Sequence, residues 1–167
     1  EKKGISDLIS LMAGNGSTSI NKDDFNEEID YLAATLSIAP NGAYAQVLSK
    51  YFPRVLALIA DAALNPNFTE EDMEKEKARI IQSIRANESN AEVIMKRVRQ
   101  TLRYTTAHPY GEYITEAQIA ALSLDDVTNY YRKRFVPNNA YLVVTGDVNP
   151  EEVITLVNEH FADWQPY

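Results

Sequence analysis

Cysteine is absent from this 167-residue sequence. That excludes disulfides, thiolate zinc sites and cysteine nucleophiles, and it leaves the redox compartment open. Histidine occurs only as His108 and His160, so carboxylates are the main strong ligands that remain. Positive charge is scarce: 16 Lys+Arg stand against 24 Asp+Glu, a formal charge of −8. No basic cluster is read as offsetting that balance, so phosphate backbones and anionic headgroups are repelled and nucleic acid is excluded as a partner. The longest apolar run, Val55 to Ala60, stops at Asp61, far short of the ~20 residues a bilayer crossing needs. No membrane insertion by this segment is expected. The chain opens on Glu1-Lys2-Lys3-Gly4 with no initiator Met or apolar leader, which reads as a mature product or an excised fragment.

What is present is enough to fold. With 45% hydrophobic residues, a chain of this length buries roughly two thirds of its unfolded surface, and overall disorder is excluded. Ile5, Leu8, Ile9, Leu11 and Met12 follow helical spacing and predict a helix over Ile5–Ala13, stopped at Gly14-Asn15-Gly16. Asn21 or Ser19 caps a second helix, with Asp23 and Asp24 in its first turn and Phe25, Ile29 and Leu32 inward. Thr35–Ala39 and Ala43–Ser49 alternate around Pro40-Asn41-Gly42, a hairpin pattern. Pro53 opens a third helix with a wide apolar stripe, which ends at Asn65-Pro66-Asn67.

Thr69 and Asp72 form a capping pattern for a helix reaching about Asn87, with Met73, Ile80, Ile81 and Ile84 inward. A helix from about Asn90 to Thr105 carries Val93, Ile94, Val98 and Leu102. Further helices follow Ser123 and Asn149, and between them Tyr141–Val144 is the most strand-like run. No repeat or linker divides the chain. The expectation is one α+β domain over residues 1–167, an antiparallel-leaning sheet of three strands with helices packed on one face.

Most candidate motifs have plain structural explanations. Gly14-x-Gly16 follows a helix instead of a strand and lacks a phosphate-binding Lys. The acids Asp23, Asp24, Glu27 and Glu28, and Glu70, Glu71, Asp72 and Glu74, fall in first turns of helices, where the dipole favours them, and they lack the glycine and spacing of a calcium loop. Neither histidine has companion ligands at short regular offsets. The sequons at Asn15, Asn67 and Asn87 decide nothing, because such triplets recur by chance.

Taken together, Gly4-Ile5-Ser6-Asp7-Leu8-Ile9-Ser10-Leu11-Met12, Leu64-Asn65-Pro66, His108-Pro109-Tyr110-Gly111, Val136-Pro137-Asn138-Asn139-Ala140 and Tyr141-Leu142-Val143-Val144-Thr145-Gly146-Asp147 resemble the insulinase, pitrilysin and mitochondrial processing peptidase family of inverted zinc peptidases. The resemblance runs along essentially the whole chain and implies a processing-peptidase-like half-domain, one without its N-terminal strands.

In active members the first helix carries a His-x-x-Glu-His zinc motif, and a later helix supplies a Glu as third ligand. Aligned without gaps, those positions are Asp7, Ser10, Leu11 and Ser83 here, the last within Glu76-Lys77-Ala78-Arg79-Ile80-Ile81-Gln82-Ser83. A leucine offers no lone pair, a serine hydroxyl binds zinc poorly, and one Asp cannot hold the ion alone. Without a metal to acidify water, Ser10 is no general base. The resemblance therefore implies no catalytic residues, no metal and no cofactor in this segment.

In the family, substrate adds as a strand to a sheet edge, which matches Ala34–Pro40 here, so Leu36, Ser37, Ile38 and Ala39 are the candidate peptide-binding residues. The same stretch also reads as an ordinary half-buried strand, and Pro40 limits how far a guest pairs. The implied partners are a homologous peptidase half or subunit and an extended peptide substrate, and a homo-oligomer where strand edges stay open. The leading reading is a noncatalytic domain that contributes chamber wall, peptide holding and pairing with a catalytic half. Its rivals are an active metalloendopeptidase with rearranged ligands, drawing His108, Glu112 or Glu116 toward Asp7, and a purely structural assembly subunit. Composition leaves the compartment unknown, and the resemblance points to the bacterial periplasm or cell envelope.

Overall fold

The computed structural model describes residues 2–166. The helix α1 (Ile5–Met12) begins after Gly4, whose φ of 80° is left-handed. A Cβ there would lie 2.4 Å from the Ile119 side chain, so only glycine lets the next layer of the fold approach this closely. α1 turns Ile5, Leu8, Ile9 and Met12 into the core, as their spacing predicts, whereas Leu11, counted with them in the sequence, falls off that face and is half-buried. α2 (Lys22–Tyr31) is capped by Asn21, whose side chain accepts from the Asp24 N–H. Ser19, the other candidate cap, instead donates to Asp61.

The hairpin forms with β1 (Thr35–Ala39) antiparallel to β2 (Gly42–Gln46), in a register from Thr35↔Gln46 to Ala39↔Gly42. β2 ends three residues earlier than its sequence pattern suggests, because residues 49–51 wind into a 3₁₀ turn leading into α3 (Phe52–Leu64). α3 buries Val55, Leu56, Leu58, Ile59, Ala62 and Ala63, the largest share of the core contributed by one helix.

α4 (Glu70–Ala86) is capped by Thr69 and packs along α1. α5 (Ala91–Tyr104) follows, capped by Asn90. α6 (Glu116–Ala120), absent from the sequence reading, is held by a capping box between Thr115 and Gln118. α7 (Leu124–Arg134) buries Val127 and Tyr131, and the Tyr131 hydroxyl donates to the Ala63 carbonyl at 2.8 Å, tying α7 to the end of α3. α8 (Pro150–His160) closes the order and packs on α3.

Three expectations need correction. Among the described residues the sheet has two strands, not three. The run Tyr141–Val144 has no strand beside it, and Tyr141 and Val143 are 93% and 80% exposed, since strand propensity makes no ladder without a neighbouring backbone. On α4, Ile80, Ile81 and Ile84 are half-buried at the core margin, while Glu76 and Lys77 are more deeply buried. Finally, α5 buries none of its residues. This helix carries Lys96, Arg97, Arg99 and Arg103 with Glu92 as its one acid, so a basic cluster does exist within the acidic chain, contrary to the sequence reading. Among the described residues no helix is long and apolar enough to cross a membrane.

Candidate functional site

Asp7, Ser10 and Leu11 share one face of α1, opposite the Ile5, Leu8, Ile9 and Met12 core face. Asp7 and Ser10 are exposed and Leu11 is half-buried. The Ser10 hydroxyl donates back to the Ser6 carbonyl at 2.8 Å, so it is spent within its own helix. Ser83 is exposed on α4, which packs against α1. The two helices therefore pack together, and the donor set at the positions that the resemblance assigns is one carboxylate, two hydroxyls and an alkyl group. These residues do not fit zinc.

The rearranged set does not assemble either. Glu112 pairs with Lys3 at 3.1 Å. Glu116 takes two hydrogen bonds from Arg85, at 3.0 and 2.7 Å, which hold its carboxyl below the usual range. His108 accepts the Tyr110 N–H at Nδ1, at 3.1 Å, and its ring stacks on Tyr104 with centroids 5.4 Å apart. Among the described residues no group of three or more His, Asp or Glu side chains is placed to hold a metal ion. One polar group escapes sequence reasoning: Glu76 is 8% exposed, its Oε2 has no hydrogen bond, and Arg79 stands 3.5 Å away.

The candidate peptide-binding stretch has definite geometry. Ala39 and Gly42 close the hairpin across a two-residue turn, so Ala39, Ser37 and Thr35 exchange ladder bonds with β2. The N–H and C=O groups of Leu36 and Ile38 consequently point to the outer edge, where no strand lies among the described residues. Their side chains turn inward: Ile38 is buried and Leu36 half-buried, while Ser37 is exposed. Gly14, just past α1, adjoins this edge. A Cβ there would lie 3.5 Å from the Ile38 nitrogen and 3.3 Å from Leu36 Cδ2. The edge strand thus runs directly beside the helix that carries Asp7, Ser10 and Leu11.

Residues 1–111 match the family model described as Insulinase (Peptidase family M16). The chain belongs to this family. Residues 121–166 match a second model, described as Peptidase M16 inactive domain. Curated relatives of this insulinase-family chain include an uncharacterized zinc protease of Rickettsia felis, 25% identical over 97% of the chain and 40% of the relative. The mitochondrial-processing peptidase subunit beta of Homo sapiens is 24% identical over 98% of the chain and 34% of the relative. Among solved structures, a peptidase M16 inactive domain from Pseudomonas fluorescens shares the fold with a TM-score of 0.83, at 14% identity over 99% of the chain and 42% of that structure. The chain therefore spans well under half the length of these relatives.

Proposed function

We propose that residues 1–167 are a single partial domain with a noncatalytic role in an insulinase-family metallopeptidase. In this reading it forms chamber wall, holds an extended peptide along the outer edge of β1, and pairs with a homologous half or subunit that carries the chemistry. Behind it stands the solvent face of α1: the resemblance aligns Asp7, Ser10 and Leu11 with the zinc-motif positions, these residues lie off the buried face of the helix, and none of them can replace the imidazoles or the general base. The match of residues 121–166 to an inactive-domain model supports the same reading.

Peptide holding survives such losses because β-augmentation uses backbone groups. Leu36 and Ile38 offer an N–H and a C=O each on an edge that no strand covers among the described residues, with Gly14 beside Ile38 as a close backbone neighbour. Titrating an extended apolar peptide while following amide exchange tests it. The Leu36 and Ile38 amides should slow together, while Ser37, already bonded to β2, changes little. Unchanged Leu36 and Ile38 amides at saturating peptide would instead leave a structural assembly role. A parallel assay with added zinc and then a chelator should give no cleavage attributable to this chain.

A further inference from the structure

α5 is strongly amphipathic, yet among the described residues the one secondary-structure element it packs on substantially is the 3₁₀ turn at Pro109–Gly111. Ile94, Val98 and Leu102 recur at i, i+4 and i+8 with Met95 beside them, and all four are exposed, Leu102 by 80%. They form a ridge of about 12 Å at 1.5 Å per residue. On one flank the chain folds back: the Thr101 hydroxyl donates to the Gly111 carbonyl at 3.1 Å, and Arg97 lies over the Tyr113 ring at 5.4 Å. The result is a groove lined by Ile94, Val98, Thr101, Leu102 and Tyr113. On the other flank Arg99 and Arg103 border the ridge, and among the described residues no carboxylate pairs with either.

We propose that this groove is the docking site for an acidic amphipathic helix of a separate partner polypeptide. The ridge spacing fits a helix laid into a groove, read through anchors at i, i+4 and i+7. The flanking arginines select glutamate or aspartate beside those anchors, by attraction that a desolvating apolar contact strengthens. The wall raised on one flank by Tyr113 and the Thr101–Gly111 hydrogen bond suits a helix laid beside it better than a flat lipid surface. A second copy is disfavoured by chemistry, because the acidic helices of this chain already use their apolar sides. α2 turns Phe25 and Ile29 inward, α4 turns Met73 inward, and Leu156 and Val157 of α8 pack on the core. This site goes beyond the role argued for β1 and depends on different residues.

The test is fluorescence anisotropy with a designed labelled helical peptide of about 20 residues, carrying leucines at i, i+4 and i+7 flanked by glutamates, against a lysine-flanked control. The glutamate peptide should bind and perturb the amides of residues 94–102. Val98→Asp should weaken it at least about tenfold. The double variant Arg99→Glu/Arg103→Glu should weaken it about tenfold and reverse the preference toward the lysine peptide. Far-UV circular dichroism confirms that each variant stays folded, as expected for residues outside the core. Equal binding of both peptides to the unmodified chain overturns the proposal. So does self-association that Val98→Asp abolishes, which makes a second copy the occupant, or binding only to phosphatidylserine vesicles.

Discussion

The carboxylate of Asp61 on α3 accepts the Ser17 hydroxyl at 2.5 Å, joining positions 44 residues apart in sequence. Ser19 and Asn65 donate to the same carboxylate, and the Ser17 hydroxyl oxygen in turn accepts the N–H groups of Ser19 and Ile20 at 3.1 Å. This cluster pins the loop after α1 and so fixes how α1 meets the sheet. Burial pushes the Asp61 carboxyl up, but the donors Ser17, Ser19 and Asn65 outweigh it and hold it below its ordinary value. A depressed carboxyl stabilises the fold above the unfolded value near pH ~4, and that stability disappears as pH falls through the folded value. Urea unfolding of Asp61→Ala at pH 7 should show a loss of about 1–3 kcal/mol, because the buried Ser17 hydroxyl loses its acceptor. Repeating it near pH 3 should shrink the difference.

Tyr131 offers a test on the alkaline side. Its ring stacks on Phe135, with centroids 5.2 Å apart, and its hydroxyl bonds the Ala63 carbonyl. Burial pushes its ionisation well above the ordinary tyrosine range. Above pH ~10 the unfolded chain releases this proton and the folded chain keeps it, so stability falls as pH rises. Tyr131→Phe should cost about 1–2 kcal/mol at neutral pH and remove part of that alkaline decline. Ultraviolet titration should leave a tyrosine that ionises only with unfolding.

Local signals in the sequence were legible and non-local ones were not. Asn21, Thr69, Asn90, Ser123 and Asn149 cap the helices they precede, since a cap is a contact within three residues. α6 was missed because five residues are too few for a 3.6-residue period to emerge, although Thr115 and Gln118 carry the capping box. The periodicity of α5 revealed an apolar face, but nothing in a period says what covers it. The burial of Glu76 and Lys77 likewise depends on which face of α4 meets α1. At the candidate site, the resemblance implies the loss of zinc donors residue by residue, at Asp7, Ser10, Leu11 and Ser83. The outward direction of the Leu36 and Ile38 backbone required the observed register.

The donor chemistry of the α1 face predicts a gain of function. If α1 and α4 keep the family frame, the combined variant Asp7→His/Ser10→Glu/Leu11→His/Ser83→Glu supplies two imidazoles and a carboxylate ligand, with Glu at position 10 as base. The four positions are exposed or half-buried, so the changes should leave the fold intact. Equilibrium dialysis with metal analysis should find about one zinc per variant chain and no stoichiometric uptake by the unmodified chain. Stoichiometric zinc on the unmodified chain would mean that other residues hold it, contrary to the reading of Asp7, Ser10, Leu11 and Ser83.

The run Tyr141–Val143 carries the last prediction. All three residues are exposed, and no strand lies beside them among the described residues. A strand-prone, apolar stretch with unpaired backbone groups is a template for pairing with another chain. Sedimentation should therefore detect association that grows with concentration and persists at high salt, because backbone pairing and apolar contact are little screened. Tyr141→Lys/Val143→Lys places two charges on one face of that run, since alternate residues project to the same side, and should return the chain to a monomer. The same substitutions leave the β1 edge and the α5 groove untouched. Peptide-induced protection at Leu36 and Ile38 should therefore be equal in the variant and the parent chain, and association that survives both lysines would locate the contact elsewhere.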